Sequence, residues 1–186
     1  MPRATEPRRL RALAAGAAAV LALTACGGTD TETTSTDDGD TAQGTTPETP
    51  LDLGSSVEAL GWTVTITGVD LDATDEIMEA TGMLATEPDP GHQYAMVTYE
   101  GTYDGDDPEN SFRTDLVVTV WIDGVFYDDC GANVPPGYNT GGAVEQGGTA
   151  SSAACAQIPT DGADRALVHL VDWQPISQPG FYFTTA

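Results

Sequence analysis

Short segments that alternate apolar and polar residues occupy most of the C-terminal part of the chain. In the segment WTVTIT, the residues Trp62, Val64 and Ile66 share one side and three threonines share the other, which is the period-two pattern of a half-buried β-strand. QYAMVTYEGTY, TASSAACAQI, RALVHLVDW and GFYFTT are further strand candidates. DLVVTVWIDGVFY predicts two strands joined at Asp123-Gly124, a dipeptide that suits a two-residue type I′ hairpin turn.

Six or seven such strands, separated by turns rich in glycine or proline, predict an all-β fold. A domain of about 136 residues, 51–186, holds one hydrophobic core, and this strand pattern favours an antiparallel β-sandwich. The alternation of threonine with aliphatic residues predicts that both outer sheet faces are solvated. The segment ATDEIMEATGM is the one helix candidate, and its shortness predicts a single turn within a loop.

The first 25 residues have the order of an export signal. Four arginines precede an uncharged run from Ala12 to Ala25, and this run of 14 residues is shorter than the roughly 20 that a membrane-spanning helix needs. Leu23-Thr24-Ala25-Cys26 matches the lipobox of bacterial lipoproteins, in which the cysteine is lipidated and becomes the first residue. The sequence therefore predicts a signal peptide over 1–25 and a protein anchored through Cys26 to the extracytoplasmic face of the cell membrane, the alternative being an ordinary buried cysteine.

Residues 26–50 form the second predicted segment, the lipidated cysteine followed by a linker. Residues 27–50 contain nine threonines, six acids and no large apolar side chain, so little burial can offset the entropy of ordering. We expect a disordered Thr/Asp-rich linker between the anchor and the folded domain.

The charge of the chain restricts its partners. It has 6 arginines, no lysine and 29 acids; removal of the signal, with four arginines and Glu6, leaves Arg113 and Arg165 against 28 acids, a net charge of −26. Because nucleic-acid affinity depends on lysine and arginine, nucleic acid is excluded as a partner. Solubility and attraction of cations are the general consequences of such acidity.

Cys130 and Cys155 remain once Cys26 is assigned to the anchor. An even pair in an exported domain favours a disulfide, which would close a loop of about 25 residues and contribute roughly 3.5 kcal/mol in the chain-entropy model. The rival interpretation is a pair of free thiols in metal or redox chemistry, which neither a C-x-x-C spacing nor a neighbouring histidine supports.

Three segments carry a resemblance to a known group of proteins. These are LGSSVEALGWTVTITGV, EPDPGHQYAMVTYEGTY and GGTASSAAC, the last leading into a strand that ends at QIP. Across residues 53–183 the chain resembles actinobacterial secreted and lipid-anchored proteins with a telokin-like domain, related in architecture to the immunoprotective extracellular proteins of mycobacteria. The resemblance implies an immunoglobulin-like β-sandwich of about seven strands and carries over no catalytic residues.

A search for chemistry yields binding candidates rather than catalytic ones. The sequence lacks histidine metal motifs, a G-x-S-x-G elbow, a P-loop and a dinucleotide fingerprint, so we expect no enzyme activity and no cofactor. Calcium is the alternative, because the loop YDGDDPENS offers a cluster of hard oxygen ligands without EF-hand spacing. Its candidate ligands are Asp104, Asp106, Asp107 and Glu109.

Tyr103 and Tyr138 are the candidate contact residues for a partner, with partial burial against the sandwich as the alternative. Taken together, the sequence predicts a non-catalytic interaction module at the cell envelope. It would act through loops or an exposed sheet face on an envelope protein, a wall polymer or a small ligand. A calcium-dependent binding or stabilising module is the second interpretation, and a hydrolase of envelope polymers is the third.

Overall fold

A computed structural model describes residues 43–138, 142–173 and 180–186. The predicted signal peptide, Cys26 and most of the predicted linker lie outside the described residues. Within the described ranges, no helix has both the length and the apolar character needed to cross a membrane.

Two four-stranded sheets, in which neighbouring strands are antiparallel, form the framework of the described residues. In spatial order, the first sheet consists of β1 (Ser56–Ala59), β2 (Trp62–Asp70), β3 (His92–Tyr103) and β6 (Thr149–Pro159). The second consists of β5 (Val125–Tyr127), β4 (Leu116–Ile122), β7 (Leu167–Asp172) and β8 (Phe181–Phe183). The prediction of an all-β fold with antiparallel strands in two sheets is confirmed.

Two short α-helices and two 3-10 turns connect the strands. Helix α1 spans Thr74–Thr81 and is longer than the single turn predicted for this segment; a 3-10 turn, Gly82–Leu84, follows it. Helix α2, Phe112–Asp115, leads directly into β4 and was not anticipated. The second 3-10 turn, Ala163–Arg165, precedes β7.

Two hairpins turn on pairs of residues with positive φ. Asp123 and Gly124 have φ of 50° and 93° between the paired residues Ile122 and Val125, which confirms the predicted two-residue turn of type I′ geometry. Leu60-Gly61 forms a second such turn between β1 and β2, with φ of 48° and 78°. The sequence does not indicate this turn, because leucine rarely adopts positive φ.

The core lies between the two sheets. Trp62, Val64 and Ile66 are buried there, as the alternation in β2 predicted. Trp62 packs at 4.8 Å from the Tyr103 ring and at 4.7 Å from the Phe112 ring. The second sheet contributes inward side chains from β4, β7 and β8, namely Leu116, Val118, Val120, Ile122, Val168, Leu170 and Phe183.

A second, smaller apolar cluster covers part of the outer face of the first sheet. Ile77 of α1 is fully buried there against Tyr94 and Met96 of β3. Cys130 and Cys155 form the predicted disulfide at the same place, with their Cα atoms 5.5 Å apart. The expectation of a fully solvated outer face was therefore wrong for this sheet, because the helix and the disulfide-linked segment after β5 need an apolar surface on which to pack.

The end of the predicted linker takes part in the fold. Tyr182 N donates a hydrogen bond to Gly44 O at 2.7 Å, and Leu51 N donates to Tyr182 O at 2.8 Å. Leu51 also forms a parallel bridge with Phe183. Residues 43–50, which the sequence assigned to the linker, thus contain a turn that lies along the edge of β8 and occupies part of its free hydrogen-bonding groups.

Candidate binding surface

The outer face of the second sheet is apolar and uncharged. Side chains of alternate residues in β4, β5, β7 and β8 point away from the core, and the registers place these outward residues side by side. We call this set the aromatic face: Val117, Thr119, Trp121, Phe126, Leu167, His169, Val171 and Tyr182. No member is acidic, although the chain has 29 acids.

Four rings, one from each strand of the sheet, meet on the aromatic face. The His169 ring lies 4.9 Å from the Phe126 ring and 4.6 Å from the Tyr182 ring. Trp121 contacts Tyr182 edge to face at 6.0 Å. Phe126 is 49% exposed, and the other three rings are half-buried. Tilted and edge-on contacts of this kind are favourable for aromatic rings, so the four rings form one continuous patch.

Burial disfavours the charged form of both ionisable groups of the aromatic face. Burial lowers the pKa of His169 below its ordinary value, which favours the uncharged imidazole. Burial, together with the negative charge of Glu48, raises the pKa of Tyr182. The patch therefore presents rings and aliphatic groups without formal charge.

Trp173 extends the apolar surface beyond the end of β7. Its side chain is 68% exposed, and its backbone N–H donates to Asp115 O at 2.8 Å. A cavity of about 420 Å³ beside it is lined by Trp173, Val117 and Arg113, among others. Within the described residues, Arg113 makes no ion pair. A cation and an exposed indole thus lie together at one end of the face.

Arg165 pairs with aspartates at the opposite end of the sheet. Its Nη2 lies 2.7 Å from Asp123 Oδ2 in the β4–β5 turn, and its Nη1 lies 3.7 Å from Asp164 Oδ1. The hydrogen bond from this guanidinium lowers the pKa of Asp123. All three groups are well exposed, so the pairs contribute little to stability, and this end of the sheet keeps an excess of negative charge.

The sequence contains an indication of this surface in two strands that are apolar on both faces. In LVVTVWI and LVHLVD the residues of both faces are mostly apolar, whereas a strand with one solvated face normally alternates with charged or polar residues. His169 belongs to no metal-binding or catalytic motif of the sequence. No single strand indicates that Phe126, Trp121 and Tyr182 lie together with His169 on one face. Their contacts depend on the pairing of four strands.

The acidic loop proposed for calcium is organised by its own hydrogen bonds. Asp107 Oδ1 accepts from Glu109 N at 2.9 Å, and Asp104 Oδ2 accepts from Thr63 Oγ1 at 3.2 Å. Asp106 is exposed. Among residues 43–138, 142–173 and 180–186, no group of three His, Cys, Asp or Glu side chains could hold a metal ion. The structure does not bring the four candidate ligands together as a metal centre.

Neither tyrosine chosen as a contact residue is freely exposed. Tyr103 is 3% exposed and packs in the main core, where its hydroxyl accepts a hydrogen bond from Asp107 N at 2.8 Å. This burial agrees with the alternative of packing against the sandwich, and the hydroxyl of Tyr103 holds the acidic loop through Asp107. Tyr138 is half-buried against the second apolar cluster, which agrees with the alternative of partial burial.

The geometry defines an antiparallel β-sandwich with a solvent-facing aromatic patch on one sheet. No protein-family model matches the sequence, and no match was found among curated proteins. The chain is similar in structure to a conserved hypothetical protein from Bacillus anthracis, with a TM-score of 0.50 over 72% of this chain and 95% of that one. The two sequences are 13% identical, so the similarity concerns the fold alone.

Proposed function

We propose that this protein is a non-catalytic binding module, anchored by lipid to the extracytoplasmic face of the cell membrane, that binds a component of the cell envelope through the aromatic face. The observation that carries the proposal is the continuous patch of four rings on the second sheet. Aromatic side chains bury a large area at low entropic cost, and they dominate the energetics of recognition surfaces.

The acidity of the chain strengthens this interpretation. None of the eight outward side chains of the aromatic face carries a carboxylate, in a chain with a net charge of −23. Uncharged aromatic patches with a charged periphery are typical of contact surfaces, in which the centre excludes water and the rim keeps the free protein soluble. Glu48 near Tyr182, and Asp123 with Asp164 near Arg165, lie at that periphery.

We further propose that the sandwich is immunoglobulin-like. β3 and β4 are consecutive strands in opposite sheets, and the consecutive strands β6 and β7 return beside β3 and β4 respectively. Strands B and C of an immunoglobulin domain are flanked by E and F in the same manner. This correspondence supports the resemblance to telokin-like secreted domains and makes β2 the equivalent of strand A.

The proposed anchor is tested by the substitution Cys26→Ala. We expect the unchanged protein in the membrane fraction, and the variant, which has no thiol to lipidate, to leave that fraction. Globomycin, which blocks lipoprotein signal cleavage, should cause accumulation of the uncleaved form of the unchanged protein only. A Cys26→Ala protein that stayed wholly in membranes would contradict the anchor.

The proposed binding surface is tested by photocrosslinking in cells. A benzoylphenylalanine at position 126 samples the aromatic face, and the same group at position 84 samples the exposed turn after α1, where Leu84 is 84% exposed. We expect a discrete crosslinked species from position 126, absent from position 84 and weakened by a second substitution, Tyr182→Ala. Identical crosslinks from both positions would overturn the assignment of the binding surface.

A further inference from the structure

The aromatic face is built from the side chains of a sheet, and the cavity beside Trp173 lies at one end of it. Four strands at about 4.8 Å spacing give the face a width of roughly 14 Å. Along β7, the outward positions Leu167, His169 and Val171 are followed by Trp173. At about 3.3 Å per residue, the surface from Leu167 to Trp173 is roughly 20 Å long. A surface of these dimensions suits an extended polymer better than a small molecule, which is normally bound in a concave site.

Polar atoms at the edges of the rings are available to a ligand. Trp121 Nε1 and Tyr182 Oη make no hydrogen bond with a described residue, and neither is among the buried polar atoms that lack a partner. The indole N–H is a donor, and the phenol is both donor and acceptor. A matching ligand therefore offers apolar C–H surface for the rings and hydroxyl groups for their edges, which together are the chemistry of a sugar ring.

Charge selects among polymers that carry such groups. None of the eight residues of the aromatic face is a cation. Arg113 shares the cavity at one end with Asp115, Arg165 at the other end is paired with Asp123, and the acidic remainder of the chain repels polyanions. The same repulsion opposes binding of a second copy of this chain. Resting on the proposed function, we infer that the aromatic face binds a neutral polysaccharide, with Phe126, Trp121 and Tyr182 stacking on the sugar rings.

Binding is measured with the purified, lipidated full chain by affinity gel electrophoresis and by tryptophan fluorescence. The probes are soluble neutral polysaccharides (mannan, arabinogalactan and laminarin), with polygalacturonate as the anionic comparison. We expect at least one neutral polymer to retard migration and to change the tryptophan emission, to which Trp121 and the exposed Trp173 contribute. Polygalacturonate should do neither.

Substitutions identify the surface. Phe126→Ala and Tyr182→Ala should each weaken binding by up to about tenfold, the effect expected for loss of one ring contact. Tyr182→Phe keeps the ring and removes the hydroxyl, and it should lose less. Leu84→Ala removes a comparably exposed apolar side chain in the turn after α1 and should leave binding unchanged. Melting temperatures of all variants establish that they are folded.

Specific outcomes would overturn the inference. If no neutral polymer binds, or if binding survives both alanine substitutions, the aromatic face does not recognise polysaccharide. Binding of polygalacturonate alone, lost in Arg113→Gln, would assign an anionic ligand to the end of the sheet instead. If no polysaccharide binds but position 126 still forms crosslinks to a protein, the proposed ligand class is wrong and the proposed binding function is retained. If position 126 forms no crosslink either, the proposed binding function is contradicted as well.

Discussion

Gly101 in β3 leaves space for a ring of the core. A Cβ built on this glycine would overlap the Phe112 ring, and Phe112 is fully buried between Trp62 and Tyr99. The absence of a side chain at position 101 therefore allows α2 to place its first residue against the sheet. This close approach explains a glycine inside a strand, where it would otherwise weaken the pairing.

We predict that Gly101→Ala destabilises the protein by about 1 to 3 kcal/mol, the usual cost of overpacking a core. Combined with Phe112→Leu, which removes part of the obstructing ring, the loss should be smaller than the sum of the two single losses. Urea unfolding of the four proteins measures this coupling. Strictly additive losses would show that the two positions do not compete for space.

His169 couples the stability of the aromatic face to pH. Its pKa is lowered in the folded protein by burial, so the unfolded chain binds more protons once the pH falls below the ordinary histidine value of about 6.5. Stability must then decrease with falling pH in this range. The imidazole lies between Phe126 and Tyr182, and the nearby carboxylate of Glu48 acts on Tyr182.

We predict that, as the pH is lowered from about 7.5 to 5.5, the melting temperature of the unchanged protein falls further than that of His169→Gln. Comparing the two proteins at each pH cancels the titration of the carboxylates, which both retain. His92→Gln is the matched control, because that side chain is exposed. A pH-independent difference for His169→Gln would contradict the assigned cause.

At the scale of elements, the disulfide holds the segment after β5 on the first sheet. Cys155 lies in β6, and Cys130 is 8% exposed within the second apolar cluster. The Cys130 side chain thus packs in the same cluster as Ile77 of α1. Breaking the covalent bond releases one wall of this cluster as well as the loop.

We predict that replacing both cysteines by alanine lowers the free energy of unfolding by about 3.5 kcal/mol, the chain-entropy value for a loop of this length. The loop separation is 25 residues. Dithiothreitol should destabilise the unchanged protein and have no effect on Cys130→Ala/Cys155→Ala in urea unfolding. Equal midpoints for the unchanged and the double-variant proteins would contradict a stabilising disulfide.

The elements that were predictable from sequence are those whose own residues favour the conformation and the burial that they have in the fold. The strand β2 alternates threonine with large apolar residues, and the β4–β5 turn has the dipeptide that its backbone requires. Helix α1 was underestimated because Ile77 is its single fully buried residue. Its stability depends on Tyr94 and Met96, which lie in another element, and no local pattern reports that contact.

The surface was less predictable than the strands for a related reason. Tyr103 and the acidic loop attracted attention by residue type, yet the hydroxyl of Tyr103 and the carboxylate of Asp107 are used to build the loop. Phe126, Trp121 and Tyr182 become one surface only when β5, β4, β7 and β8 are placed in order. A candidate site assembled by sheet register cannot be read from spacing along the chain.

At the scale of the whole molecule, the net charge of −23 sets the response to salt. Repulsion among surface carboxylates opposes the compact state, and salt screens it, with a Debye length of about 10 Å at 0.1 M ionic strength. Arg165 and its aspartates form the ion pairs found among the described residues, so little attraction is lost when salt is added. Salt should therefore stabilise the protein on balance.

We predict that the melting temperature rises when NaCl is increased from about 0.05 M to 0.5 M, because screening weakens the repulsion. CaCl2 at the same ionic strength should produce no larger rise, since the described carboxylates form no group able to hold a metal ion. Differential scanning calorimetry measures both series, with Asp107→Asn as the comparison. A saturable rise at low calcium concentration, lost in Asp107→Asn, would instead assign calcium to the loop that contains Asp104, Asp106, Asp107 and Glu109.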